Sequence, residues 1–161
     1  MKKFLAVVAA LFVAQSVFAQ TKGSFANKKV TFTLPEGWEA LEQGSPLLGY
    51  ILLPVVEGDT FRENITVIEQ ELPKGTKMSE AQYIEAAIQG VAAMFKDFEV
   101  IEQGDNFITY KGIINDNKVV QRMKVTIKKN TVYLVTISYD QNDYETYKEE
   151  TIKFVETIKF K

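Results

Sequence analysis

Apolar and polar residues alternate along most of this chain. In "VTFTL", residues 30–34, Val30, Phe32 and Leu34 take turns with threonines, a half-buried strand pattern. Pro35, Glu36 and Gly37 then end that strand in a turn, and Trp38 follows at once. A second apolar run, "GYILLPVV" from Gly49, predicts another strand, with Pro54 marking its end or an edge position. "FRENITVIEQELP", Phe61 to Pro73, predicts a long third strand. Ile65 and Val67 share a face with Glu69 and Glu71, and Ile68 and Leu72 take the other.

The period then changes. Over residues 79–96, Ile84, Ala87, Ile88, Val91, Ala92 and Phe95 recur at steps of three and four, which predicts an amphipathic helix. Ser79 and Gln82 have the spacing of a capping box. Gly90 costs that helix about 1 kcal/mol relative to alanine, and the expected reason for it is close approach of a strand. Strand periodicity resumes in "FEVIEQ", "NFITYKGII", "KVVQRMKVTIKK" and "TVYLVTISY". Asn115, Asp116 and Asn117 lie in one connection and Lys129 and Asn130 in the next. Both are short enough for hairpins, and Asn and Asp tolerate the positive φ that tight turns need. A last helix starts near Asp140 or Asn142, with the stripe Tyr144, Tyr147, Thr151, Phe154, Val155 and Ile158. Strands joined by hairpins, with helices set apart, predict an α+β domain on an antiparallel sheet.

The first residues change what kind of protein this is. "MKKFLAVVAALFVAQSVFAQ" has a positive start at Lys2 and Lys3, an apolar run from Phe4 to Val13, and small residues before position 20. That is the form of a secretory signal peptide over residues 1–19, with bacterial character; the run is too short for a permanent span. Cleavage after Ala19 leaves residues 20–161, the size of one domain with one core. The polar stretch "QTKGSFANKK" is expected to be loose, with order from about residue 28. The protein is therefore expected to be periplasmic or extracellular, and soluble after processing. With no cysteine it relies on packing, not disulfides, and has no thiol to carry a lipid anchor. A net charge of −2, more negative once Lys2 and Lys3 leave, argues against nucleic acid and against anionic lipid as partners.

Histidine is absent as well. Ser-His-Asp and Cys-His nucleophiles cannot be built, nor the usual zinc, copper and haem sites. A general base would have to be a carboxylate, lysine or tyrosine. Glu69 and Glu71, about 7 Å apart on one strand face, are the remaining acid–base or cation candidate, against the reading that both are simply solvated. "DQNDYE", residues 140–145, begins like a calcium loop but has Glu145 where glycine is needed and Thr151 where glutamate is needed. Asp140, Asn142 and Asp143 fit helix caps and first-turn acids better. Asn64 in "NIT" matches a glycosylation sequon, taken as chance behind a bacterial leader. No phosphate or dinucleotide loop is present. Among the seven tyrosines and eleven phenylalanines, Tyr50 and Phe61 near chain turns and Tyr110 and Tyr133 on the meander are the candidate binding aromatics. The alternative for each is core packing.

"VTFTLPEGW", "FRENITV" about thirty residues on, the capped helix, the meander and the terminal "TIKFK" together resemble the PsbP-like superfamily. That group includes the PsbP subunit of photosystem II, a Ran-binding nuclear import factor and bacterial DcrB-like proteins. The likeness rests on Pro35-x-Gly37-Trp38 after the first strand and Asn64-Ile65-x-Val67 in the third, and covers about residues 28–161. It implies an α/β/α sandwich: a central, mostly antiparallel sheet of six or seven strands with two main helices. It implies no shared enzymatic activity, since its members serve as accessory or binding proteins. The chain departs from DcrB-like lipoproteins in lacking their cysteine and from photosystem subunits in lacking histidines, so neither anchor nor metal carries over. Trp38 is then expected to be a structural plug, with Gly37 letting the backbone turn sharply enough for it to fold back, and Pro35 and Asn64 are likewise expected to be structural.

The expectation is an exported, non-enzymatic binding or accessory protein without a cofactor, docking on another exported or membrane protein through an open part of its sheet or a loop edge. The alternatives are a carrier of a small apolar ligand held between sheet and helix, and a hydrolase using Glu69 and Glu71.

Overall fold

A computed structural model describes residues 21–161. The expected signal peptide lies outside the described residues. The elements run β1 (Thr21–Phe25), β2 (Val30–Leu34), β3 (Glu39–Glu42), β4 (Leu47–Leu52), β5 (Asn64–Glu71), α1 (Glu80–Ala92), β6 (Lys96–Gln103), β7 (Phe107–Ile114), β8 (Asn117–Lys128), β9 (Thr131–Asp140), α2 (Tyr144–Thr157) and β10 (Lys159–Phe160). Seven strands form one sheet in the order β3-β4-β5-β9-β8-β7-β6, and three form a second, β1-β2-β10. Every pairing is antiparallel.

Strand alternation sorts the side chains onto two faces of the large sheet. On one face, Ile65 and Val67 of β5 stand beside Ile137 and Val135 of β9, with Val120 of β8 further across. The inward residues of the small sheet, Phe25, Val30, Phe32 and Leu34, pack on this face together with Phe154 and Val155 of α2. On the other face, Ile108 and Tyr110 of β7, Met123 and Val125 of β8 and Val132 of β9 meet Ile84 of α1. The layers are therefore α1, the seven-stranded sheet, then α2 beside the small sheet, which is the α+β sandwich that the alternation and the resemblance predicted.

Local chemistry accounts for the connections. The Gln82 amide donates to Ser79 Oγ at 3.2 Å and the Ser79 amide to Gln82 Oε1 at 2.9 Å, completing the capping box of α1. Asn115 and Asp116 take φ of 49° and 65°, which lets Ile114 pair directly with Asn117 across a two-residue turn. Lys129, at φ 57°, does the same between β8 and β9.

Several expectations need correction. Residues 21–25 are not loose: they form β1, paired with β2 from Thr21↔Leu34 to Phe25↔Val30, and Phe25 is buried. The first helix stops at Ala92, because residues 96–103 are already extended in β6, and Phe95 packs from the connection. The N-cap of α2 is Asp143, without a side-chain cap bond; Asp140 ends β9 and accepts the Asn142 amide in a turn. Gly90 admits no close neighbour: nothing lies within 4 Å of where its Cβ would be. Gly90→Ala is therefore expected to stabilise the protein by about 0.5–1 kcal/mol, read as a higher urea midpoint at unchanged slope.

Candidate functional site

α1 covers only part of its face. It packs against β7 and β8, leaving the same face of β3, β4 and β5 without a helix. Rows of side chains cross this open half. Leu41 stands opposite Tyr50, Tyr50 opposite Thr66, and Thr66 opposite Thr136. A neighbouring row runs Leu47, Ile68, Leu134, and the next runs Glu39, Leu52, Asn64, Ser138. Leu41 is 46% exposed; Tyr50, Leu52, Thr66 and Ile68 are half-buried. The loop between β4 and β5 borders the same end and exposes Val55 and Val56. A partly apolar sheet face without its covering layer is the kind of surface that other chains cover.

The base of that loop is fixed by polar bonds. Arg62 donates from Nε to the Leu53 carbonyl at 2.7 Å and from Nη2 to Glu39 at 3.0 Å. Asn64 donates from Nδ2 to the Arg62 carbonyl at 3.0 Å. Glu63, only 2% exposed, accepts the Asp140 amide at 3.1 Å and so ties the loop to the end of β9. Asp59 and Asp143 bring their carboxylates within 4.8 Å of Glu63. Burial pushes the Glu63 carboxyl above its ordinary value, the Asp140 amide opposes that, and the neighbouring Asp59 and Asp143 charges reinforce it. The folded state thus holds the Glu63 proton more tightly than the unfolded chain, and stability falls as pH rises from the ordinary carboxylate range through the raised value. Glu63→Gln keeps an acceptor for the Asp140 amide and loses the charge. Its expected melting temperature is higher than wild type at neutral pH, with the gap closing below the ordinary carboxylate range.

The other sequence candidates fall elsewhere. Tyr50 is on the open half, and Phe61 is half-buried in the adjoining loop, its amide bonded to Asp59 Oδ1 at 3.1 Å. Tyr110 and Tyr133 are 3% and 1% exposed, so neither offers a ring to a partner. Tyr110 lies under α1 and donates to Gln121 at 2.9 Å, which donates in turn to Ser138 at 2.9 Å. Burial pushes its hydroxyl up to about 12. Tyr133 lies on the opposite face, stacked on Phe160 at 4.4 Å. Glu69 bonds Lys29, whose ammonium is held above its usual value chiefly by that bond, while Glu71 is exposed at the strand end. The two carboxylates do not form an isolated pair. Sequence reasoning missed Leu41, because "EALE" has no clear strand period, and missed Glu63, which looked like an ordinary surface acid.

Gly37 takes φ +78°, closing the turn in which the Trp38 amide reaches the Pro35 carbonyl at 3.4 Å. Trp38 is 8% exposed and lies 5.0 Å from Phe154 between ring centroids. Beside it, an open groove of about 590 Å3 runs between the Pro35 turn and α2, lined by Thr33, Pro35, Glu36, Glu150, Lys153, Phe154 and Thr157. Among the described residues no helix is long and apolar enough to cross a membrane.

No protein-family model and no curated protein sequence matches the chain. Solved structures do. Cyanobacterial PsbP (CyanoP) from Synechocystis is similar at TM-score 0.55 and 12% identity, over 98% of this chain and 99% of that one. The Ran-binding protein Mog1p of Saccharomyces cerevisiae is similar at TM-score 0.58 and 11% identity, over 89% and 96%. LpqN of Mycobacterium tuberculosis, involved in cell envelope biogenesis, is similar at TM-score 0.58 and 14% identity, over 88% and 90%. At such identities the likeness is one of fold.

Proposed function

We propose that this chain, which has the PsbP/Mog1-like fold, is an exported, non-enzymatic accessory protein that docks on a protein partner through the open half of its large sheet. The observation that carries this reading is the row Leu41–Tyr50–Thr66 with Leu52 and Ile68 beside it: an ordered, partly apolar face next to the half that α1 covers. The accessory and binding character of the fold's other members supports it at a coarser level. Export rests on the leader of residues 1–19, and the non-enzymatic part on the missing histidine and cysteine. The carrier reading draws less support, because buried side chains fill both layers between helix and sheet.

A photo-reactive amino acid placed at Leu41 in the exporting cell tests this. One discrete adduct is expected, abolished by Ile68→Lys without loss of folding. No adduct at Leu41, or equal adducts from Glu85 on α1, would overturn it.

A further inference from the structure

The outward face of the small sheet has a chemistry unlike the rest of the molecule. Its inward residues enter the core, so Lys22, Ser24, Thr31, Thr33 and Lys159 point away from it. Lys22 stands opposite Thr33, Ser24 opposite Thr31, and Thr31 opposite Lys159. Lys28, from the turn between β1 and β2, and Thr157, at the end of α2, complete a shallow groove of about 450 Å3. Three ammonium groups from three different segments, with four hydroxyls between them, line it. No Asp or Glu lines it, and among the described residues Lys22, Lys28 and Lys159 form no ion pair. A second groove shares Lys159 and adds Lys128, whose ammonium donates to the Phe160 carbonyl, and Lys124, which is paired with Glu156. In a chain of net charge −2, this is segregation of charge and not a basic average.

We infer that this lysine–hydroxyl face docks on the phosphate headgroups of an anionic membrane surface. Charge complementarity supplies the reason, because lysines within a Debye length of an anionic leaflet each add to attraction and hydroxyls donate to phosphate oxygens. The low net charge that argued against anionic lipid is an average over the molecule, and the groove is a local exception. The face lies across the large sheet from the open half that meets the partner, so a membrane and a protein could be held on opposite sides at once.

The test uses the processed chain from Gln20 to Lys161, which contains every described element, in flotation with phosphatidylcholine vesicles with or without phosphatidylglycerol. Binding is expected only with phosphatidylglycerol, weakening with salt, and falling about a hundredfold in the Lys22→Gln, Lys28→Gln, Lys159→Gln variant. The remote set Lys77→Gln, Lys96→Gln, Lys118→Gln should retain binding. No flotation with the anionic vesicles, or equal loss in both variants, would overturn the inference. So would calorimetric binding of soluble glycerol phosphate as tight as that of vesicles, which would make the groove a small-anion site. Matching melting temperatures show that both variants fold, since all six lysines are exposed. A failure here leaves the Leu41 cross-link unaffected, as the two surfaces share no residue.

Discussion

Trp38→Ala is expected to cost about 3–5 kcal/mol of stability, measured by urea unfolding followed by circular dichroism. The indole is 8% exposed and lies 5.0 Å from Phe154. Phe154 lies 6.2 Å from Phe32, and Phe32 lies 4.8 Å from Phe25. The side chain is thus the outermost member of an aromatic row joining the Pro35 turn, α2, β2 and β1. Removing it leaves a void beneath the turn, beside the groove that Pro35 and Phe154 line. The backbone cannot collapse to fill the space, because Gly37 at φ +78° and the Trp38–Pro35 bond fix its path. Trp38→Phe retains part of the row and should lose much less. In the wild type, the same residue, as the single tryptophan, reports unfolding through its own fluorescence. An alanine variant that unfolds at the wild-type urea midpoint would show that the indole serves a partner and not the core.

What could be read in the sequence was whatever is decided within a few residues. Ser79 and Gln82 define the start of α1 by bonds that span three positions. Asn115 and Asp116 set a hairpin by their own backbone preference. The alternation in β2 and β5 sorted their faces correctly. What was lost is whatever depends on which layer lies over a face. Tyr50 and Tyr110 both sit on strands, and α1 covers one and not the other, a difference that no local pattern contains. β10 has two residues and exists because β2, far away in sequence, offers an edge at Val30 and Thr31. Glu63 and Lys29 looked like surface charges until tertiary contacts buried the one and gave the other Glu69. The same limit hid the basic face, since Lys22, Lys28 and Lys159 are brought together only when β1 and β10 flank β2.

Phe25→Ala should cost about 3–5 kcal/mol, and the strand that carries it would fray with it. "TKGSF" has one buried apolar residue, and composition alone marks it as a tail. Its energetic contribution depends on where that one ring goes. Phe25 is 1% exposed and fills the space above Gly49 of β4: a Cβ at Gly49 would come within 2.6 Å of the ring and 2.7 Å of the Leu41 carbonyl. Glycine at position 49 and phenylalanine at position 25 are therefore one packing unit, linking the small sheet to the large one. Gly49→Ala alone should destabilise by about 1–3 kcal/mol through overpacking. In the double variant the ring is gone, so the methyl loses its two closest neighbours and keeps the Leu41 carbonyl, and the two costs should sum to more than the measured loss. Hydrogen exchange provides the local readout: amides of β1 and of its partner β2 should lose protection in Phe25→Ala, while those of β8 and β9 change only with global stability. If the segment were loose, Phe25→Ala would fall within about 0.5 kcal/mol of wild type, the range of an ordinary surface substitution. A strand whose five residues bury one ring is held by that ring together with its pairing to β2, and this is why truncation before residue 28 is expected to unfold the small sheet.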